Sequence, residues 1–133
     1  MITITKIFEF AAGHCLPYHD GLCKNQHGHN FKLEVTVGKK IKHLSNEANH
    51  VNNFPSKGMV IDFKQLKNIV NEKVIKSLDH QYLNDQLPNP TAELLILHIR
   101  DLLISEFGLK VELIKIRLWE SSTSYAEWKN RNI

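Results

Sequence analysis

Two histidines separated by one glycine, His27 and His29, are the strongest candidates in this sequence for a functional site, because of their residue type and their spacing. Side chains two positions apart on a β-strand point to the same face, so both imidazoles can reach one metal ion at about 2.0 to 2.1 Å. His14 ends the apolar face of an earlier predicted strand and would neighbour them if the strands pair. A single histidine on an apolar face is more often a hydrogen-bonded core residue. Three that converge favour a metal site with one position open for water or substrate.

A thiol, Cys23, precedes these histidines in a polar loop and lies beside Lys24. A neighbouring cation lowers the pKa of a thiol, which favours proton transfer or nucleophilic work for Cys23. The alternative is a buried, inert thiol, which is the commoner state of a free cysteine. The second cysteine, Cys15, points to the other face of its strand and is interpreted as structural.

Three further side chains are candidates for chemistry. Asp79 and His80 follow a predicted amphipathic helix, in whose exit turn the aspartate could orient an imidazole that exchanges protons near neutral pH. A histidine favoured by the helix dipole is the alternative. Glu120 ends the apolar row of a predicted strand, where a carboxylate needs hydrogen-bond donors. A planar, amidine-like ligand edge would supply two parallel donors, although a lysine or a backbone cap would also serve.

Alternation of apolar and polar residues predicts two strands that position the histidines, from Ile2 to His14 and from His27 to Val37. In the stretch 39–57, which contains four asparagines and a proline, we expect a hairpin extension followed by a loop.

Two amphipathic helices follow. The first begins after the N-cap Asp62 and ends near Asp79, and the second begins after the N-cap Thr91 and ends at Gly108. Two more strands are predicted, at 111–120 and around 125–131. The order β-β-α-α-β-β predicts an α+β fold, with a four-stranded antiparallel sheet and both helices on one face.

The composition is that of one domain spanning residues 1–133, with 42% hydrophobic and 23% charged residues. The start of the chain lacks a signal-peptide pattern, and no segment approaches about 18 consecutive apolar residues. We therefore expect a cytoplasmic protein whose cysteines are thiols. The net charge of +3 is modest, and the lysines are scattered without interleaved aromatic residues. This pattern gives weak support for an anionic substrate and none for nucleic acid or a membrane as partner.

Six short motifs occur in an order that resembles the 6-pyruvoyl-tetrahydropterin synthase/6-carboxy-tetrahydropterin synthase family, and most closely its bacterial 6-carboxy branch. The resemblance spans nearly the whole chain. The motifs are Ala11-Ala12-Gly13-His14, Cys23-x3-His27-Gly28-His29, Gly58-Met59-Val60-Ile61-Asp62-Phe63, Leu78-Asp79-His80-Gln81-Tyr82-Leu83-Asn84, Asn89-Pro90-Thr91-Ala92-Glu93 and Leu118-Trp119-Glu120.

The resemblance implies the tunnelling fold, in which trimers close a barrel and stack in pairs as a homohexamer with active sites between subunits. It also implies zinc as the metal. The implied metal ligands are His14, His27 and His29, the implied catalytic residues are Cys23, Asp79 and His80, and the implied substrate-binding residues are Glu120, Thr91 and Glu93.

The implied activity is that of a zinc-dependent lyase acting on 7,8-dihydroneopterin triphosphate. In the 6-carboxy branch the products are 6-carboxy-tetrahydropterin, acetaldehyde and triphosphate, on the route to 7-deazaguanines and queuosine. In the family scheme zinc acts as a Lewis acid on the side-chain oxygens. Cys23 removes a proton as a thiolate, and His80, oriented by Asp79, relays one.

The spacing of Cys23 helps to choose between branches, because only three residues separate it from His27, whereas the pyruvoyl branch usually has a longer gap. The alternative is 6-pyruvoyl-tetrahydropterin synthase, which eliminates triphosphate and keeps the side chain. A further alternative is a noncatalytic metal-binding module with the same fold, which would have no use for the intact catalytic residues. The serine-rich run at 121–124 differs from relatives with glycine or cysteine there, so we expect a different pocket rim.

Overall fold

A single sheet carries most of the predicted site. The computed structural model of the protein describes residues 1–44 and 58–132. The strands of the described residues are β1 (Ile2–His14), β2 (His27–Lys39), β3 (Gln81–Tyr82), β4 (Glu112–Ser121) and β5 (Ser124–Lys129). Across the sheet their order is β3-β1-β2-β4-β5; β3 runs parallel to β1, and the other neighbouring pairs are antiparallel.

The four antiparallel strands confirm the predicted sheet and the α+β class. The sequence does not predict β3, because a strand of two residues is too short to carry an alternating pattern. Its register pairs Ala12 with Gln81 and Gly13 with Tyr82. This short strand therefore ties the segment after the first helix to the end of β1.

Two helices of the described chain pack on one face of the sheet. α1 is α-helical at Phe63–Val70 and Lys76–Leu78 with a π-helical turn at Asn71–Ile75 between them, and α2 spans Ala92–Leu103. Both predicted N-caps are confirmed, because the Asp62 carboxylate accepts from the Lys64 N–H and the Thr91 hydroxyl accepts from the Leu94 N–H.

The predicted end of the second helix at Gly108 is wrong, because α2 ends at Leu103. The Ile104 N–H makes the closing bond to the Arg100 carbonyl at 2.8 Å, and a turn follows in which the Glu106 N–H bonds to the Leu103 carbonyl at 2.9 Å. By leaving the helix here, the chain brings Phe107 against the core.

The prediction of a hairpin extension after the second strand is wrong where the segment is described. β2 ends at Lys39, and residues 41–44 are helical instead of extended. The remainder of that predicted segment, 45–57, lies outside the described residues.

The core lies between the helices and the inward face of the sheet, and it fixes the backbone beneath the predicted metal ligands. The register pairs His14 with His27 and Ala12 with His29, so the apolar rows of β1 and β2 end side by side in histidines. Buried core residues include Phe8, Phe10, Phe31, Leu33, Val35, Leu66, Val70, Val74, Leu78, Leu95, Ile99, Leu103, Ile116 and Leu118.

Candidate metal centre and active site

The three histidines converge at the end of the paired strands β1 and β2. Their ring centroids are 4.5 Å apart for His14 and His27, 5.0 Å for His14 and His29, and 4.9 Å for His27 and His29. The rings meet edge to face, with interplanar angles of 62° to 89°. This arrangement brings nitrogen atoms from three rings to one point, which stacked rings would not do.

Backbone carbonyls set the orientation of two of these rings. His14 Nδ1 lies 2.9 Å from the Pro90 carbonyl oxygen, and His27 Nδ1 lies 2.7 Å from that of Asn25. A carbonyl can only accept, so each Nδ1 carries the hydrogen and donates it. In the neutral ring the other nitrogen, Nε2, then presents a lone pair. Hydrogen bonds of this kind are typical of metal-binding histidines, because they fix both the tautomer and the ring direction.

The Nε2 atoms of all three histidines are buried and have no hydrogen-bond partner among the described residues. A buried polar atom without a partner costs on the order of 1 to 3 kcal/mol, and such atoms are rare in proteins. Three of them facing one another fit a bound cation, which would satisfy all three. Imidazole nitrogen suits zinc and several other transition metals, so the donor set fits zinc without selecting it.

Glu120 joins this cluster from β4. Its Oε1 lies 3.0 Å from His29 Nε2 and 3.9 Å from His14 Nε2, and ligand atoms of all four residues lie within 4.8 Å of one another. The contact with His29 is within ion-pair distance but is not aligned as a hydrogen bond. Burial lowers the pKa of His29, an effect that Glu120 opposes and the two other histidines reinforce. The shift favours the neutral ring, which is the form that binds metal.

Asp79 and His80 lie in the turn after α1, as predicted, and they contact each other. Asp79 Oδ1 is 3.0 Å from His80 Nδ1 and also accepts the Ala11 N–H at 3.0 Å. The His80 N–H donates to the Ala11 carbonyl at 2.6 Å, and the His80 backbone is left-handed, with φ of 60°. The side chain of His80 is 82% exposed. The turn thus presents an imidazole at the edge of the sheet, held by an aspartate that is itself anchored to β1.

The Ala11 N–H is the main reason that the pKa of Asp79 lies below its ordinary value; burial opposes this effect, and His80 adds to it. Replacing His80 with alanine is therefore expected to leave the Asp79 pKa below 3.8, because the Ala11 bond remains. The depressed pKa means that this carboxylate stabilises the protein above its unfolded-state pKa. That contribution is lost as pH falls through the folded-state value. Carbon-detected NMR titration of the carboxyl group measures this pKa, and a full return to the ordinary value would contradict the assignment.

Cys23 does not join either group within one chain. It lies in the turn Leu22–Lys24, is partly exposed, and its carbonyl accepts the Leu16 N–H at 2.7 Å. In the described part of the chain no hydrogen bond or ion pair links Cys23 to the histidine cluster, to Asp79 or to His80. Of the three predicted catalytic side chains, Asp79 and His80 are therefore the two that contact each other in the described chain.

Two cavities adjoin His29. One, of about 420 Å³, is bordered by His29 and His80 together with the backbone-rich ends of β1 and β2. The other, of about 710 Å³, is lined by His29, Ala92, Glu93, Glu120, Ser121, Ser124, Tyr125, Ala126 and Glu127. The second cavity brings together two predicted substrate-binding carboxylates, Glu93 and Glu120, and the serines of the predicted rim.

Sequence reasoning missed Tyr125 and Glu127 in this wall. Glu127 is held by Arg117, whose Nε and Nη2 donate to the same carboxylate oxygen at 2.9 and 2.8 Å. Burial is the largest single influence and would raise the pKa of Glu127, but the Arg117 contact and the positive charges of Arg117, Lys129 and Lys115 together outweigh burial and lower this pKa. With Glu127 paired to Arg117, the other carboxylates that line this cavity are Glu93 and Glu120, and Glu120 also contacts His29. The strand pattern of 124–129 was the signal that could have indicated this wall.

Thr91 is the N-cap of α2 and accepts from Leu94 N–H at 3.1 Å, so its hydroxyl has a structural task. Replacing Thr91 with alanine is expected to cost about 1 kcal/mol of folding free energy, and replacement with serine is expected to restore most of it. Urea denaturation of the three proteins measures this. An alanine variant as stable as the parent protein would contradict the capping role.

Asn84, a motif residue for which no role was predicted from the sequence, clamps the chain just after His14. Its side-chain oxygen accepts the Cys15 N–H at 2.9 Å, and its amide donates to the Cys15 carbonyl at 3.0 Å. The Tyr82 hydroxyl donates to Cys15 Sγ at 3.2 Å, and this bond, with burial, raises the pKa of Tyr82. The clamp joins residues 69 positions apart, and no local sequence pattern signals such a contact.

Fold and site together define an α+β protein with a three-histidine metal-type centre beside a carboxylate-lined cavity. The model of the family described as 6-pyruvoyl tetrahydropterin synthase matches residues 3–131. The chain belongs to this family. No helix in the described ranges is long and apolar enough to cross a membrane.

Individual relatives carry more than one name. A 6-carboxy-5,6,7,8-tetrahydropterin synthase of Haemophilus influenzae is 29% identical over 97% of this chain and 99% of its own. The enzyme of that name from Synechocystis is 41% identical over 70% of this chain and 67% of its own. A dihydroneopterin monophosphate aldolase of Pyrococcus furiosus is 34% identical over 86% of this chain and 85% of its own.

Among solved structures, 6-pyruvoyl tetrahydropterin synthase of Caenorhabditis elegans superposes with a TM-score of 0.76 at 23% identity. The superposition covers 97% of this chain and 95% of that chain. This similarity confirms the predicted tunnelling fold of the single chain.

Proposed function

We propose that the protein is a 6-carboxy-5,6,7,8-tetrahydropterin synthase. It converts 7,8-dihydroneopterin triphosphate into 6-carboxy-tetrahydropterin, acetaldehyde and triphosphate, as a step towards 7-deazaguanines and queuosine. The observation that carries the proposal is the cluster of three buried Nε2 atoms without hydrogen-bond partners among the described residues, beside a cavity lined by the carboxylates of Glu93 and Glu120. Membership of the family, and curated relatives named for this reaction, support the choice of substrate.

His14, His27 and His29 would hold zinc as the resident metal. When bound, zinc supplies Lewis-acid polarisation of oxygen atoms on the substrate side chain. The carbonyl contacts of Pro90 and Asn25 support this role, since they fix two of the rings with Nε2 towards the cluster.

Glu120 and Glu93 are the proposed ring-binding residues. A carboxylate accepts two parallel hydrogen bonds from a planar amidine-like edge, and both residues line the cavity that reaches His29. Thr91 directly precedes Ala92 and Glu93, which line this cavity. Because the Thr91 hydroxyl caps the start of α2, it is proposed to help to position Glu93.

Cys23, Asp79 and His80 are the proposed proton-transfer residues. Cys23 would take a proton from the substrate side chain as a thiolate. Asp79 Oδ1, 3.0 Å from His80 Nδ1, holds that nitrogen as the donor and leaves His80 Nε2 to exchange a proton. Histidine is the side chain most often used for proton transfer in catalysis.

In the described chain Cys23 makes no hydrogen bond or ion pair with Asp79 or His80, which fits active sites that two subunits complete together. Among the described residues the sheet also has two edges open to pairing, since β5 pairs with no strand other than β4, and β1 has a second strand neighbour only at Ala12 and Gly13. Open edges favour pairing with another strand. We propose a homohexamer, built as two stacked trimers, which native mass spectrometry would measure.

The decisive experiment is incubation of the purified protein with 7,8-dihydroneopterin triphosphate, followed by identification of the products by mass. Acetaldehyde with a carboxypterin is the expected result. A pyruvoyl pterin would replace the proposal by the pyruvoyl alternative. No conversion of the triphosphate, with turnover of dihydroneopterin monophosphate instead, would favour the reaction named for the Pyrococcus furiosus relative.

A further inference from the structure

Glu120 approaches the histidines more closely than the anchoring of a ligand ring requires. Its Oε1 is 3.0 Å from His29 Nε2 and 3.9 Å from His14 Nε2. Neighbouring ligand atoms of a tetrahedral site with bonds of about 2.0 to 2.1 Å lie about 3.3 Å apart. The two observed distances bracket that value, so Oε1 lies near the vertex that a fourth ligand would take.

A hydrogen bond to one histidine does not account for this position. His29 Nε2 has no aligned hydrogen-bond partner among the described residues, although Oε1 is its near neighbour, and Oε1 also lies close to His14. One cation at the centre of the four ligand atoms, which all lie within 4.8 Å of one another, would satisfy them together.

Glu120 also borders open space. Its side chain is 26% exposed and lines the cavity of about 710 Å³ together with Glu93 and Ser121. The carboxylate can therefore turn from the histidines towards a ligand in the cavity by side-chain rotation. The two positions exclude each other, because the same oxygen would serve both.

We propose that Glu120 is the fourth metal ligand of the substrate-free protein and that it leaves the metal when a pterin ring binds in the cavity. This inference rests on the proposed function, from which it takes both the metal site and the ring. The exchange breaks one metal–oxygen bond and opens one coordination position, with no electron transfer. A structural site has four protein ligands, whereas a catalytic site keeps one position open. Glu120 would switch the centre between these two states.

Thermodynamic linkage predicts the direction in which pterin binding changes the metal affinity. If Glu120 cannot serve the metal and the ring together, each of the two binding events weakens the other by the same factor. A pterin without side-chain oxygens has no ligand atom to replace the Glu120 oxygen, so its binding should lower the affinity of the protein for the metal.

The test uses Co²⁺ titrated into the chelator-stripped full-length protein, with azide as a probe of an open position and visible absorption as the readout. In the parent protein azide is expected to leave the Co²⁺ spectrum unchanged. In Glu120→Ala, azide should produce a new spectrum. The affinity for Co²⁺ should fall by about tenfold or more, because loss of a residue that only hydrogen-bonds to a metal ligand already lowers metal affinity by about that factor. Glu93→Gln is the matched control, since Glu93 lines the same cavity outside the four-residue group. It should bind Co²⁺ as the parent does.

Each outcome has one meaning. Equal Co²⁺ affinity and equal azide response in the parent and in Glu120→Ala, with circular dichroism showing both folded, would overturn the fourth-ligand assignment. If the parent responds to azide only after pterin is added, the exchange is supported; if pterin changes nothing, the exchange is overturned. Retention of Co²⁺ by His27→Ala would instead overturn the metal site of the proposed function.

Discussion

Replacing His27 with alanine is expected to remove the metal from the protein and to abolish activity. The parent protein should carry about one zinc ion per chain, and the variant should carry almost none. Loss of a partner that only supports a metal ligand costs about 10- to 100-fold in affinity or activity, so loss of a ligand itself should exceed that range. Metal analysis by mass spectrometry and steady-state product formation measure the two effects.

The fold should survive this change. His27 makes one local hydrogen bond, to the Asn25 carbonyl, and its Nε2 makes none within the described chain. The bond contributes about 1 kcal/mol. The matched control is His98→Ala, which removes a half-buried imidazole from α2, away from the cluster, and should retain zinc and activity. A folded His27→Ala variant with full zinc content would refute the metal site, and a metal-free parent with full activity would refute the need for it.

The histidine row illustrates what the sequence can predict. His27 and His29 share a face because side chains alternate along any strand. The apolar residues that follow them on that face indicate that it is the buried one. The same argument places His14 on the inward face of β1. Once the two apolar faces share one core, His14 is expected beside His27 or His29, because a register shift of two residues leaves every side chain on its face. The observed register pairs His14 with His27.

The position of Glu120 illustrates what the sequence cannot predict. Strand alternation gives its face, but its distance from His29 depends on the register between β2 and β4. That register shifts at an irregularity between Thr36 and Val37, and no local sequence pattern predicts this shift. The contact of Pro90 with His14 and the Asn84 clamp are likewise products of tertiary packing. For the same reason the sequence makes Cys23, Asp79 and His80 candidates without predicting which of them contact each other within the described chain.

Replacing Cys23 with alanine is expected to lower turnover by a factor of about 10² to 10⁴, the usual contribution of a proton-transfer group. Pterin affinity should change little, because Cys23 lies in the turn Leu22–Lys24 and is absent from the wall of the cavity that contains Glu93 and Glu120. The expected signature is therefore a fall in kcat with an unchanged dissociation constant for pterin, read from product formation and pterin fluorescence. Cys15→Ser is the matched control: the hydroxyl keeps an acceptor for Tyr82, and turnover should stay near that of the parent. Turnover in Cys23→Ala within about tenfold of the parent would remove this thiol from the mechanism. Another side chain would then have to accept the proton, and the exposed imidazole of His80 is the candidate.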